Sequence, residues 1–514
     1  MSALERALQH PPRTPQLGDG SALSGLARRE VSRLDIFAHS VAGIGPSSGA
    51  LIGTVAAVQI AGTGAWLAIV LATVLTWGLA HVFGQYASRL AGSGSLYTFV
   101  ARTTGPRLAL MVLVALVIGY AAIAGFGVTQ TAVHLAAAVT PPPTAVSTPL
   151  ALASLVAVGV LALVVLCLGV HTSTRITLVA EFAGLALLSV LVMIALAGGP
   201  APSWAEFSLE GVSPWQILTA TGLMVGAMLA FESSAALGSE ASRPFASVPR
   251  AMTRSVLLAG VIYLCAFITG SAASVPDGVS DGRLWLVAGL PSPVLQPIVH
   301  LVLALCFFPV ALASWTTLSR LLFLTGRERT TNVWLGALTA RTRIPLRAIL
   351  VTSPLVLSAP VVLMSFGVNT AEDSLFFATV ATPLLMSAFA VTSFSAPVFL
   401  RRINEATAKW TIVAIVTGSV TTLLVITDLI TQSSHRQMMG IAALLGAILV
   451  GVLWAGVLSR RSGDRAPRLG VYDQTVEAHV WSGTAPCERP LALAAVGDHI
   501  LAGARPSRFT YLRL

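Results

Sequence analysis

Charge is what this sequence has least of. Of 514 residues, 10% are charged and 55% hydrophobic, and the mean hydropathy is +0.82. Ordinary soluble domains carry roughly 25% charged residues, so the composition excludes a soluble multidomain enzyme. Intrinsic disorder requires low hydrophobicity and is excluded with it. Lysine is nearly missing: Lys409 is the only one, and arginine supplies the other basic groups behind a net charge of +10. Those arginines punctuate apolar runs instead of interleaving with aromatics, which argues against a nucleic-acid partner. The cysteines number four. Cys167, Cys265 and Cys306 fall in apolar runs and Cys487 in a polar tail, with no spacing suited to a metal or a disulfide framework. No cleavable signal peptide is expected, because the first apolar run, from near Leu34, is too long for a signal core and should stay as an anchor. Glycine-rich stretches do not follow predicted strands, so no nucleotide motif is read. No cofactor is expected, and no paired acid and base point to a membrane enzyme.

What is present is apolar length. About 20 apolar residues span a bilayer, and twelve runs qualify, at 34–59, 64–88, 108–138, 150–170, 175–197, 216–239, 255–275, 294–323, 346–368, 374–400, 409–430 and 438–459. Residues 1–33 form a polar N-terminal tail and 460–514 a C-terminal tail expected to be mostly disordered. With the N-terminus inside, sixteen basic residues between Arg89 and Lys409 fall in or beside inward loops, and only Arg283 and Arg436 in outward ones. This bias predicts an all-α polytopic membrane protein with both termini inside. The outward loops carry Glu206, Glu210, Asp277, Asp281, Glu372 and Asp373. Leu284–Leu290, in the outward loop 276–293, is too short to span and reads as an interfacial segment. Loop 324–345 has room for a short surface helix.

Two runs should not be continuous helices. The first, through Ala42-Gly43-Ile44-Gly45-Pro46-Ser47-Ser48-Gly49, places Gly43, Gly45, Pro46, Ser47, Ser48 and Gly49 at its middle. A proline in a helix interior costs about 3 kcal/mol, glycine lets another group approach the backbone, and freed main-chain groups at bilayer depth need partners. The sixth places Glu232, Ser233 and Ser234 near its centre, after Gly226, Ala227, Ala230 and Phe231. A carboxylate there must face a polar interior or carry a proton. Discontinuous helices at matching positions in two halves mark an inverted-repeat transporter with a midplane site. Exposed helix N-termini hold a carboxylate and unwound carbonyls an ammonium, so such a break suits a zwitterion.

The stretch from Ala230-Phe231-Glu232-Ser233-Ser234 to Arg243-Pro244 and Val248-Pro249-Arg250-Ala251 resembles the sixth-helix signature of amino acid–polyamine–organocation permeases. Leu90–Phe99, Gly169–Arg175 and Ser319–Arg327 resemble the family's second-helix exit, fifth-helix entry and eighth-helix exit. The resemblance implies a LeuT-like 5+5 inverted repeat plus two extra helices: a core over 34–402, with repeats 34–197 and 216–402, and helices 11 and 12 within 403–459. It implies alternating access in the plasma membrane. Ala42 to Ser48 would bind the substrate carboxylate and amine, Gly226, Ala227, Ala230 and Phe231 would shape the pocket, and Glu232 would organise the break. Gly226 is small where several members place a large aromatic. About where some proton-coupled members carry lysine, this chain has Gly184.

Among other ionisable groups, two roles are open to Glu181: carrying a coupling proton, or pairing with an arginine near the inner end. His39, one turn before Gly43, either responds to protonation or is a hydrogen-bonded interior histidine. His134 and His300 should sit near the outer interface and Asp428 near an outer helix end, solvated or structural. Asp35 is a further interior candidate. Thr316 and Thr317 are weak candidates for Na⁺, since membrane-helix hydroxyls more often bond back to carbonyls. The reading is a transporter of an amino acid or related amine, driven by proton symport or exchange. The alternative is a transporter-like sensor or interaction subunit that binds solute without net transport.

Overall fold

In a computed structural model, the described residues are 23, 25–27, 29–140, 146–197, 207–272, 295–367, 375–460 and 469–473. Loop 276–293 with Arg283 and Leu284–Leu290, the acidic residues Glu206, Glu372 and Asp373, Cys487 and most of both tails lie outside them. The helices are α1 (Arg33–Ile44), α2 (Pro46–Ala61), α3 (Ala65–Ala87), α4 (Ser95–Thr103), α5 (Pro106–Ala138), α6 (Thr148–Cys167), α7 (Val170–Ala197), α8 (Pro214–Gly226), α9 (Pro244–Ala272), α10 (Leu295–Arg327), α11 (Leu346–Ser365), α12 (Leu375–Arg402), α13 (Ala408–Thr431) and α14 (Ser434–Ser459). Eleven helical stretches are long and apolar enough to cross a membrane, and the first, Arg33–Ala87, holds two of the twelve expected runs. The chain is an all-α polytopic membrane protein.

The first span begins with a reciprocal cap. Asp35 N donates to Ser32 Oγ at 3.2 Å, and Ser32 N donates to Asp35 Oδ2 at 3.2 Å, satisfying donors that a helix start leaves free. The span divides at one residue. Gly45 is left-handed (φ 61°, ψ 64°), and α2 restarts at once with Pro46 in its first position, where a missing N–H costs nothing. The interruption is therefore narrower than the Gly43–Ser48 stretch expected to unwind. The sixth span breaks more widely: α8 stops at Gly226, Ala230 is left-handed (φ 65°), and Phe231–Leu237 continue as a 3-10 turn. Val333–Gly336, in the loop expected to hold a surface helix, form another 3-10 turn.

The most extensive helix pair is α5 against α10, followed by α9 against α3. Small residues allow the first approach: a Cβ on Gly127 would lie 2.7 Å from Ala311 N. Around the sixth-span break, Phe231 packs parallel to Phe83 at 5.7 Å and edge-on to Phe389 at 5.4 Å. Each such pair adds about 0.5–1.5 kcal/mol beyond its buried area, holding the turn between α3 and α12.

Part of the C-terminal tail has a defined place. Tyr472–Asp473 (β2) pair antiparallel with Ala91–Gly92 (β1), just after α3. Val471 N donates to Glu328 Oε1 at 2.8 Å, Tyr97 Oη donates to Glu328 Oε2, and the Arg102 guanidinium lies 4.8 Å from the Tyr472 ring. Burial pushes the Glu328 carboxyl up to about 7, against the hydrogen bonds from Tyr97 and Val471.

Three outcomes are expected. Gly127→Ala forces α5 from α10 and lowers stability by about 1–3 kcal/mol, read from unfolding in detergent. Gly446→Ala, whose Cβ meets nothing within 4 Å, leaves it unchanged or slightly raised. The raised Glu328 value means that its contribution to stability is full below about pH 4.5 and is lost as pH rises through about 7. Glu328→Gln removes that part of the pH dependence of thermal unfolding.

Candidate functional site

The two interruptions lie against each other. A Cβ on Gly43 would fall 2.6 Å from both Ala230 O and Ser233 Oγ, so glycine is what permits the contact. Serines tie the segments together. Ser40 Oγ donates to Phe231 O at 2.5 Å and lies 2.8 Å from Ser255 Oγ of α9. Ser233 Oγ donates to His39 O at 3.3 Å. Ser234 is also fully buried, while Gly226 and Ala227 are half-buried.

The main-chain accounting at Gly45 is uneven. Gly45 N donates to Val41 O at 2.9 Å. Ala42 O then has no helical donor, because residue 46 is proline. Gly43 O loses its donor as well, because Ser47 N turns to Glu181 Oε1 at 2.9 Å. Ser48 Oγ donates to Gly45 O at 2.8 Å. Glu181, buried on α7, thus caps α2, and its second oxygen has no hydrogen-bond partner. This corrects the pairing of Glu181 with an arginine near the inner end: the partner is a main-chain N–H at the break.

Glu232 meets a different group. Tyr120 Oη on α5 donates to Glu232 Oε1 at 2.6 Å, and Glu232 Oε2 is buried without a partner. Tyr263 Oη on α9 donates to Ala227 O at 2.8 Å, taking up a carbonyl freed where α8 ends. A Cβ on Gly49 would collide with the Tyr263 ring, so α2 and α9 close around that bond.

His39 is an interior hydrogen-bonded histidine. Its Nε2 lies 3.3 Å from Thr317 Oγ1, whose hydroxyl donates to Ala313 O at 3.0 Å. The hydroxyl proton being committed, His39 Nε2 is the donor. Thr317 is thereby engaged on both sides, and Thr316 is buried beside it. His134 is buried, with Nδ1 3.2 Å from His300 Nδ1, not solvated at an interface. Asp428 accepts from Gln432 Nε2 at 2.8 Å. Among the described residues, no group of three His, Cys, Asp or Glu could hold a metal.

Toward the face that carries the N-terminus, charged side chains pair with one another. Arg320 Nε meets Glu240 Oε1 at 2.8 Å, both side chains buried, and Arg320 Nη2 reaches Glu240 Oε2 at 3.4 Å. Arg320, counted by sequence among the inward basic residues, is therefore an interior one. Asp35 Oδ2 lies 2.9 Å from His171 Nδ1, and Asp35 Oδ1 3.9 Å from Arg175 Nε. Val31 N donates to Glu240 O at 3.0 Å. Outside this layer a cleft of about 280 Å³ opens between Glu30, Val31, Gly169 and His171. Tyr120, Tyr263 and the Glu240–Arg320 pair were not found by sequence reasoning; the one signal was a tyrosine or arginine within or beside a long apolar run.

Arg320→Ala strands Glu240 as a buried, unpaired charge and should cost about 3–5 kcal/mol. The double change Arg320→Met, Glu240→Leu should recover most of that loss. Denaturation of both variants in the same detergent checks the pair.

Sequence comparison agrees with this architecture. Residues 32–456 match the family described as amino acid permease. An uncharacterized transporter of Mycobacterium bovis is 28% identical over 332 residues, covering 63% of this chain and 72% of the relative. Uncharacterized transporters from two strains of Mycobacterium tuberculosis match to the same extent. The chain belongs to the amino acid permease family, within the amino acid–polyamine–organocation superfamily.

Proposed function

We propose that the protein is a secondary active transporter of the plasma membrane that moves an amino acid or related amine by alternating access. The observation that carries this reading is the direct contact of two helix interruptions, at Gly45 and at Ala227–Ala230, five spans apart. That spacing supports a 5+5 inverted repeat. The substrate binds along Ala42–Ser48 and against Gly226, Ala227 and Ala230. Phe231, locked between Phe83 and Phe389, forms the floor of the pocket. Glu232, Ser233 and Ser234 keep the sixth span unwound.

The face that carries the N-terminus is the cytoplasmic one in this reading, and its ion pairs are the closed inner gate. Asp35 with His171 and Arg175 joins the first span to the fifth, and Glu240 with Arg320 joins the sixth to the eighth. Opening inward separates spans one and six from spans five and eight, so both sets of pairs part together. Proton symport or exchange drives the cycle, with Glu181 and His39 the groups placed to couple it. One charge moved through 100 mV is worth about 2.3 kcal/mol, enough for roughly 50-fold accumulation.

Gly226 gives the test. A Cβ there lies 3.4 Å from Thr382 Oγ1, an ordinary contact, so alanine is accommodated and a bulkier side chain would compete with the substrate for the proposed pocket. Gly226→Trp should lower uptake into proteoliposomes by about tenfold or more with insertion and unfolding temperature preserved, while Gly226→Ala retains uptake. Undiminished uptake by the tryptophan variant would place the substrate elsewhere.

A further inference from the structure

The charged groups left without partners at the break have one sign. In the first turn of α2, Pro46 has no N–H, Ser47 N is taken by Glu181 Oε1, Gly49 N is bound to Gly45 O, and Ser48 N and the Ser47 hydroxyl are left over. The helix N-terminus that would hold a ligand's carboxylate already holds one from the chain itself. The charge that remains uncompensated is negative. Ala42 O and Gly43 O have lost their helical donors, and Glu181 Oε2 and Glu232 Oε2 are buried without partners.

No described cation balances these oxygens. Arg320, the buried arginine nearest this layer in the chain's own pairings, is committed to Glu240 through two nitrogens. His39 Nε2 is committed to Thr317. The titratable groups set against Glu181 are Tyr263 of α9 and Cys306 of α10, neither of which brings positive charge. A buried carboxylate in this condition is satisfied by a ligand that supplies positive charge and N–H donors together.

We infer that Glu181 is the specificity-determining residue, and that the ligand is an organic ammonium without an α-carboxylate. This rests on the transport reading above and narrows its substrate class. The ammonium donates to Glu181 Oε2 and to the carbonyls of Ala42 and Gly43, at the negative end of α1. A zwitterion would seat its own carboxylate at a helix start that Glu181 already caps, bringing a second negative charge beside the first.

Matched pairs test it: leucine against 3-methylbutylamine, and lysine against 1,5-diaminopentane. Binding is read by calorimetry on the purified protein and uptake in proteoliposomes. The amine of each pair should bind the wild-type protein about tenfold or more tightly than the amino acid. Glu181→Gln keeps an oxygen for Ser47 N and removes the charge, so it should lose amine binding by a similar factor with its unfolding temperature unchanged. The wild-type comparison stands even if that variant does not fold. Amino acids that bind as well as their amines, or amine binding that survives Glu181→Gln, overturn the inference. If the amino acids are then accumulated, the transport reading stands without it. Proteoliposomes that accumulate neither member of either pair sink both.

Discussion

A main-chain group freed inside a bilayer has no water to turn to, and every feature of this site follows from where such groups find partners. A helix interrupted at depth releases donors on one side of the break and acceptors on the other. Here one donor is met from within the protein: Glu181 takes Ser47 N. Some acceptors are met by hydroxyls, as Tyr263 does for Ala227 O and Ser40 for Phe231 O. Ala42 O and Gly43 O are left without helical donors. The same constraint explains why the interruptions touch. Each uses the other, through Ser40, Ser233 and the bare backbone of Gly43, as a substitute for solvent.

Much of this architecture is legible in the sequence because lipid imposes a simple code. Long apolar runs give the spans, and a glycine followed by proline in mid-run gives the first break. The sequence overstates its width, because Gly-Ile-Gly-Pro-Ser-Ser reads as six weak helix formers. Only Gly45 leaves the helical region, since proline is at ease in the first position of a new helix. The sixth break is legible from Glu232 and its serines, and its extent reflects the left-handed turn at Ala230.

The partners are not legible. Glu181 reaches a residue 134 positions away and Glu232 one 112 positions away, and no local pattern encodes such a meeting. Arg320 shows the failure in the other direction. An arginine at the end of an apolar run reads as an inner-loop charge, yet it is folded inside against Glu240. Charge counting along the sequence therefore misplaces that residue. The C-terminal tail, polar and rich in proline and glycine, gives no hint that five of its residues dock beneath α3.

The burial of the Glu240–Arg320 pair shapes how that end of the molecule behaves over time. Two ions sealed together gain strong mutual attraction and forfeit their hydration, and the opposing amounts are of similar size. When the surrounding helices part, water returns to both ions at once and offsets the attraction lost. Such a fastening is balanced: it fixes one register of the helices sharply, yet leaves little net free energy between fastened and released. A purely apolar seam of equal area would hold more firmly and release more slowly, because separating it hydrates nothing that welcomes water.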